Sequence, residues 1–241
     1  MVELLENNTI SVYDKFKEGL LTNIKNDDFE GGIIIPEDKE EEYHWDVRVE
    51  ITKMVSAFSR IQNILDFLLI PPKNIPLANE NFSKLDWLVY HNSTFIWTIV
   101  SLGDISFILT STIFRLGIPP KHCRSRLILD HEFVSEEVKI ILKKLNNEVN
   151  KYRESRNSLL HRGDDPYIEG TYKLKLFELL SKIIPDIFQS RAENLYKDNR
   201  NSLVKNIKKE GEVFEHLVSD LFDALKPSYE KKYGEIKGEL L

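Results

Sequence analysis

The stretch VRVEITKMVSAFSRIQNILDFLL, residues 47–69, places an apolar side chain at Val47, Ile51, Met54, Phe58, Ile61, Leu65 and Leu68. Steps of three and four residues are the period of an α-helix with one buried face, whereas a strand would alternate every second residue. Pro71-Pro72 predicts a firm end to this helix. Read outward from there, the chain yields helices. Ser83 or Asp86 can cap a second long helix running to about Leu116, with Pro119-Pro120 beyond it. A third starts near Ser135, where Glu136 and Glu137 suit the helix dipole, and ends at His161 with Gly163 as its stop. Residues 172–188, bent or ended at Pro185, supply a fourth, and a last amphipathic helix carries Leu203, Ile207, Phe214, Leu217 and Leu221 on one face. The expected fold is all-α: an up-and-down helical bundle over residues 45–190, an N-terminal arm over 1–44 and an additional C-terminal amphipathic helix in the extension 191–241. Within the arm, residues 10–25 read as a short helix, 31–36 as an extended piece and the acidic run 37–42 as a solvated segment or a helix start.

Composition narrows the function classes. Of 241 residues, 41% are hydrophobic and 30% charged, which is ordinary for a globular chain able to bury a sizeable core. A formal charge of −6 argues against a surface coated in nucleic acid but leaves room for a local basic site. The single cysteine, Cys123, excludes an internal disulfide and a cysteine-rich zinc site. With no basic start followed by an apolar run at the N-terminus, the expected compartment is the cytoplasm. Residues 95–113 are apolar enough to resemble a membrane span, yet Gly103-Asp104 sits in the middle, and an aspartate at a bilayer centre costs ~2.5–3.5 kcal/mol. A central helix buried on all sides is the expectation, with no membrane partner.

The chemistry concentrates at the end of the third helix. Its apolar stripe runs Val138, Leu142, Leu145, Val149, Tyr152, then Arg156, then Leu159 and Leu160. Arg156 therefore falls at a core position, where a guanidinium that cannot shed its proton needs an anion, either an internal carboxylate or a ligand's phosphate. Asn157 and His161 are four apart and share a helix face, while Arg156 and His161 are about 140° apart and meet through the arginine's reach or an unwound last turn. Asp104, a second charge expected inside the bundle, either orients Arg156 or meets some other polar group.

Arg156, Asn157 and His161, an Arg-Asn-x-x-x-His pattern ending a bundle helix, resemble the signature of the HEPN superfamily. The resemblance covers roughly residues 45–185. It implies an all-α domain with a metal-independent ribonuclease site, completed across a homodimer, with RNA as substrate and an antitoxin or regulatory protein as a further partner in a toxin-antitoxin, defence or stress-response setting. One subgroup carries a tyrosine two residues after the histidine, the modification target of a nucleotidyltransferase partner. Here that position is Gly163, which departs from that pairing.

In such a site His161 would serve as base or acid, Arg156 would stabilise the crowded phosphate, and Asn157 would orient the histidine or donate to the phosphate. The products would be 2′,3′-cyclic phosphate and 5′-hydroxyl ends. One set supplies one histidine, so a two-fold dimer makes chemical sense. Arg153 and Arg162 beside the motif, and Lys121, Arg124 and Arg126 near the 119–120 prolines, are candidate RNA-guiding cations, the second cluster reading equally as a solvated loop. The competing reading, from another class, is a catalytically silent helical module that binds RNA, a nucleotide or a protein partner through the same residues, which can also simply cap carbonyls.

The remaining motifs read as structural. Arg200-Asn201-Ser202-Leu203 echoes the motif, but Lys205 stands where the histidine should be. Glu212, His216 and Asp220 recur every four residues as a solvated face, so no metal or other cofactor is expected. His44, His91 and His131 read as ordinary structural residues, Trp45, Trp87 and Trp97 as packing groups, and Cys123 beside His122 as no nucleophile pair.

Overall fold

The computed structural model of the chain describes residues 39–70, 83–162, 165, 166, 168 and 171–238. The expected arm up to residue 38, with its short helix over 10–25 and extended piece over 31–36, lies outside the described residues, as do Pro71-Pro72 and Gly163. The described elements form an all-α helical bundle. They are α1 (Lys39–Leu69), α2 (Lys84–Phe114), a 3-10 turn (Pro120–His122), α3 (Ser125–Leu129), α4 (Glu136–Arg162), α5 (Thr171–Ile183) and α6 (Pro185–Lys237).

Helix starts follow local chemistry. At α2 the alternatives Ser83 and Asp86 act together: the Asp86 amide donates to Ser83 Oγ at 3.1 Å, and the Ser83 amide donates to Asp86 Oδ2 at 2.7 Å. Two N-terminal amides with no intrahelical partner are thereby satisfied reciprocally. Ser135 caps α4 through its Oγ, which accepts from the Val138 amide at 3.4 Å. Pro185 ends α5 and opens α6, because a proline in the first turn lacks only an N–H that would have had no partner. The C-terminal amphipathic helix is thus the distal part of a 53-residue helix. The expected boundaries at 44/45 and 190/191 fall inside α1 and α6.

The chain divides into two compact units. The first, in described residues, combines 39–59, 101–148 and 214–238. Its core joins Val47 and Met54 of α1, Leu102 and Leu109 of α2, Leu142 and Leu145 of α4, and Phe214, Val218, Leu221 and Leu225 of α6. The Tyr43 hydroxyl donates to the Ile113 carbonyl at 3.0 Å, so the start of α1 meets the end of α2 and supplies a partner to one of its last carbonyls. Tyr43 stacks on Tyr229 of α6 with ring centroids 5.6 Å apart. Helix α2 closes with Leu116 N donating to Ser111 O at 3.0 Å and Arg115 N to Thr112 O at 3.1 Å, with Arg115 at φ 51, a Schellman end built on arginine where glycine is usual.

The second unit comprises 60–100 and 149–213. Here the end of α1 meets the start of α2, Phe67 lying against Trp87 and His91 at 6.2 and 5.7 Å. Phe95 of α2 meets Tyr152 of α4 edge-on at 5.8 Å, and Tyr196, Leu203 and Ile207 bury the inner face of α6.

Helix α2 is the one described helix long and apolar enough to cross a membrane, and 67% of its apolar window is buried inside the protein. The burial is not all round as expected. A stripe at Tyr90, Trp97, Ser101, Asp104 and Ile108 stays partly open, so Trp97 is 41% exposed and Asp104 is half-buried. Three of its buried hydroxyls need no outside partner, since Thr98, Ser106 and Thr110 each donate to the carbonyl four residues back at 2.8 to 2.9 Å.

Candidate functional site

The stripe of α4 is fully buried at Val138, Leu142, Leu145 and Val149, then opens at Tyr152. Arg156 is consequently half-buried, not enclosed: its Nε is shielded from solvent, while Nη2 donates to Asn157 Oδ1 at 3.1 Å. That bond occupies the acceptor oxygen of Asn157 and leaves its amide nitrogen as a donor for a ligand. Asn157, His161 and Arg162 are exposed, and Arg153 is half-buried. No hydrogen bond, ion pair or ring contact with a described residue orients His161. Helix α4 ends at Arg162, so His161 and Arg162 occupy the last turn, where cations suit the negative end of the dipole.

The echo of the motif separates what is local from what is particular to this site. Arg200 Nη2 donates to Asn201 Oδ1 at 3.4 Å, repeating the arginine–asparagine bond on α6 without a histidine after it. The bond is therefore a property of adjacent Arg and Asn on a helix. What α4 adds is His161, one turn on from Asn157.

Lys121, Arg124 and Arg126 are exposed, around the 3-10 turn and the start of α3. They belong to the first unit, whereas Arg153, Arg156 and Arg162 belong to the second. Arg126 already faces Asp130 at 3.5 Å across one turn. Asp104 and Arg156 also fall in different units, and neither is a fully buried charge.

Cys123 Sγ lies 3.9 Å from the Phe107 carbonyl, and burial pushes its thiol pKa up, the opposite of an activated nucleophile. Glu212, His216 and Asp220 lie on the exposed side of α6, and among the described residues no group of three metal-ligating side chains converges.

Three features escape the sequence. His91 is 3% exposed with both ring nitrogens shielded and without a hydrogen-bond partner, packed by Phe67, Trp87 and Tyr90. Burial lowers its pKa to about 4. The aromatic residues at 87 and 90 were the available signal. Second, Glu42, Asp46 and Glu50, spaced by four on α1, line a cavity of about 450 Å³ with Arg115. Glu50 is buried and accepts from Lys53 Nζ at 2.5 Å, and Asp46 is raised in pKa by burial first and Glu42 second. Third, in the second unit a groove of about 600 Å³ runs beside α5, lined by Lys84, Asp86, Lys175, Glu178, Lys182 and Glu193 among others. Desolvation and then Asp86 hold the Glu178 carboxyl above its usual range.

Compared with protein-family models, curated proteins and solved structures, the chain has no match.

Proposed function

We propose that the protein is a metal-independent endoribonuclease whose site is the end of α4, assembled from two copies. The observation that carries this reading is a half-buried guanidinium bonded to Asn157, with an exposed imidazole one turn further on. Arg156 grips the phosphodiester, and Asn157 contributes its free amide N–H. His161 of one copy takes the 2′-hydroxyl proton as that oxygen attacks phosphorus. The same residue from the second copy protonates the departing 5′-oxygen, giving a cyclic phosphate and a 5′-hydroxyl. Arg153 and Arg162 hold flanking phosphates. The role in defence, toxicity or stress, with an antitoxin or regulatory partner, rests on the HEPN resemblance alone, and a cytoplasmic site of action on the reducing compartment that a lone cysteine suits.

Purified protein incubated with RNA in EDTA tests this. Cleavage leaving cyclic-phosphate ends is expected, with His161→Ala and Arg156→Ala each losing about 100-fold or more. Arg156→Lys, which keeps the charge but loses the planar fork, also falls. Cleavage equal in all variants would sink the proposal.

One observation favours the second reading, a silent helical module. His161 is exposed at the helix end and each copy carries one such imidazole, so a single copy holds a binding surface but not a complete acid–base pair. RNA retention without cleavage, weakened by Arg156→Ala, is its signature.

A further inference from the structure

Helix α5 carries an apolar stripe that its own bundle does not use. Leu174 is its fully buried side chain, yet Tyr172, Leu176, Leu179 and Ile183 are 81, 40, 55 and 74% exposed. Their steps of four, three and four confine them to about 60° of the helix, opposite Leu174. In heptad terms they alternate d, a, d, a, the seam of a two-stranded coiled coil, and the positions flanking the seam are Lys173, Lys175, Leu180 and Lys182. The one acid of α5, Glu178, is half-buried. Neither Lys175 nor Lys182 forms an ion pair with a described residue. Lys182 does feel the Glu178 carboxylate one turn back, without closing an ion pair. An exposed apolar row bordered by like charges that no ion pair with a described residue neutralises marks a contact surface.

We infer that this face docks an amphipathic helix of another protein, with an apolar seam flanked by glutamate or aspartate. Charge decides the occupant. In an antiparallel pair of α5 helices from two copies, Lys175 and Lys182 would face each other, and in a parallel pair they would face Leu180 and Lys173. Both arrangements forgo every interhelical ion pair, so a second copy is the wrong partner. Register argues against a lipid surface. The four side chains keep the a and d spacing of a two-helix seam, which a lipid surface does not require. Carboxylates at the flanking positions of a foreign helix would pair with all three lysines while its seam covers the four apolar side chains.

The test uses the full chain and a fluorescent three-heptad peptide with Leu at a and d and Glu at e and g, beside a twin carrying Lys at e and g. Anisotropy should show the Glu peptide binding about tenfold or more tighter than its twin, and Lys175→Glu with Lys182→Glu should reverse that preference. Leu176→Asp or Ile183→Asp should weaken the Glu peptide about tenfold with the circular dichroism spectrum unchanged, since both sites are exposed. Equal binding of the two peptides, or none up to about 1 mM, overturns the proposal. Capture by phosphatidylserine vesicles in place of the Glu peptide assigns the face to a membrane, and dissociation of a homodimer by Leu176→Asp assigns it to a second copy. Either result also overturns it.

Discussion

His91 shows what a buried titratable ring does when nothing bonds to it. Its pKa falls from 6.5 to about 4 because burial penalises the charged form. The unfolded chain takes up a proton near pH 6.5 and the folded chain does not until about pH 4, so the stabilising contribution is complete above pH 6.5 and lost as pH drops through that window. The amount is about 3 kcal/mol. His91→Phe should therefore flatten the loss of stability between about pH 7 and 4.5, measured by urea denaturation. At neutral pH it should change stability by about 1 kcal/mol or less, since no hydrogen bond is removed. A wild-type and variant pH dependence that coincide would contradict this. The sequence presents His91 as one histidine among several. Its lack of partners depends on which faces of α1 and α2 meet around it, which periodicity does not specify.

At the scale of the element, helix ends were mostly legible because caps act over a few residues. Ser83 and Asp86, Ser135, and an end of α4 expected at His161 and found one residue later at Arg162 are local, and they sit where side-chain chemistry puts them. Pro185 does both jobs, since the helix before it stops at Ile183 and the next one starts on the proline itself. Pro227 lies inside α6, exposed, removing one intrahelical donor. Pro227→Ala should raise stability by about 1–3 kcal/mol, whereas Pro185→Ala should change it by less than about 0.5. Parallel thermal melts of the two variants check the contrast, and equal shifts would contradict it.

At the scale of the molecule, helices α1, α2, α4 and α6 each give residues to both compact units. The C-terminal region is therefore part of a core and not an appendage. A chain cut after residue 190 loses Phe214, Val218, Leu221 and Leu225, all 0% exposed. At about 1.5–3 kcal/mol each, their burial is comparable to the whole stability of a domain. The fragment 1–190 should bind a hydrophobic dye strongly and melt without a cooperative transition. A sharp melt matching the full chain would show that the first unit does not need α6.

The amino-acid order alone determined the class of secondary structure, the stripes that face inward and the presence of an Arg-Asn-x-x-x-His pattern at a helix end, because these depend on spacing along one helix. Tertiary structure decided what spacing cannot express. It left Arg156 half-buried, since the buried stripe of α4 opens at Tyr152, and it turned Asp104 to the partly open side of α2. It also gave α5 an apolar row facing solvent, because burial is a property of neighbours and not of the residue itself.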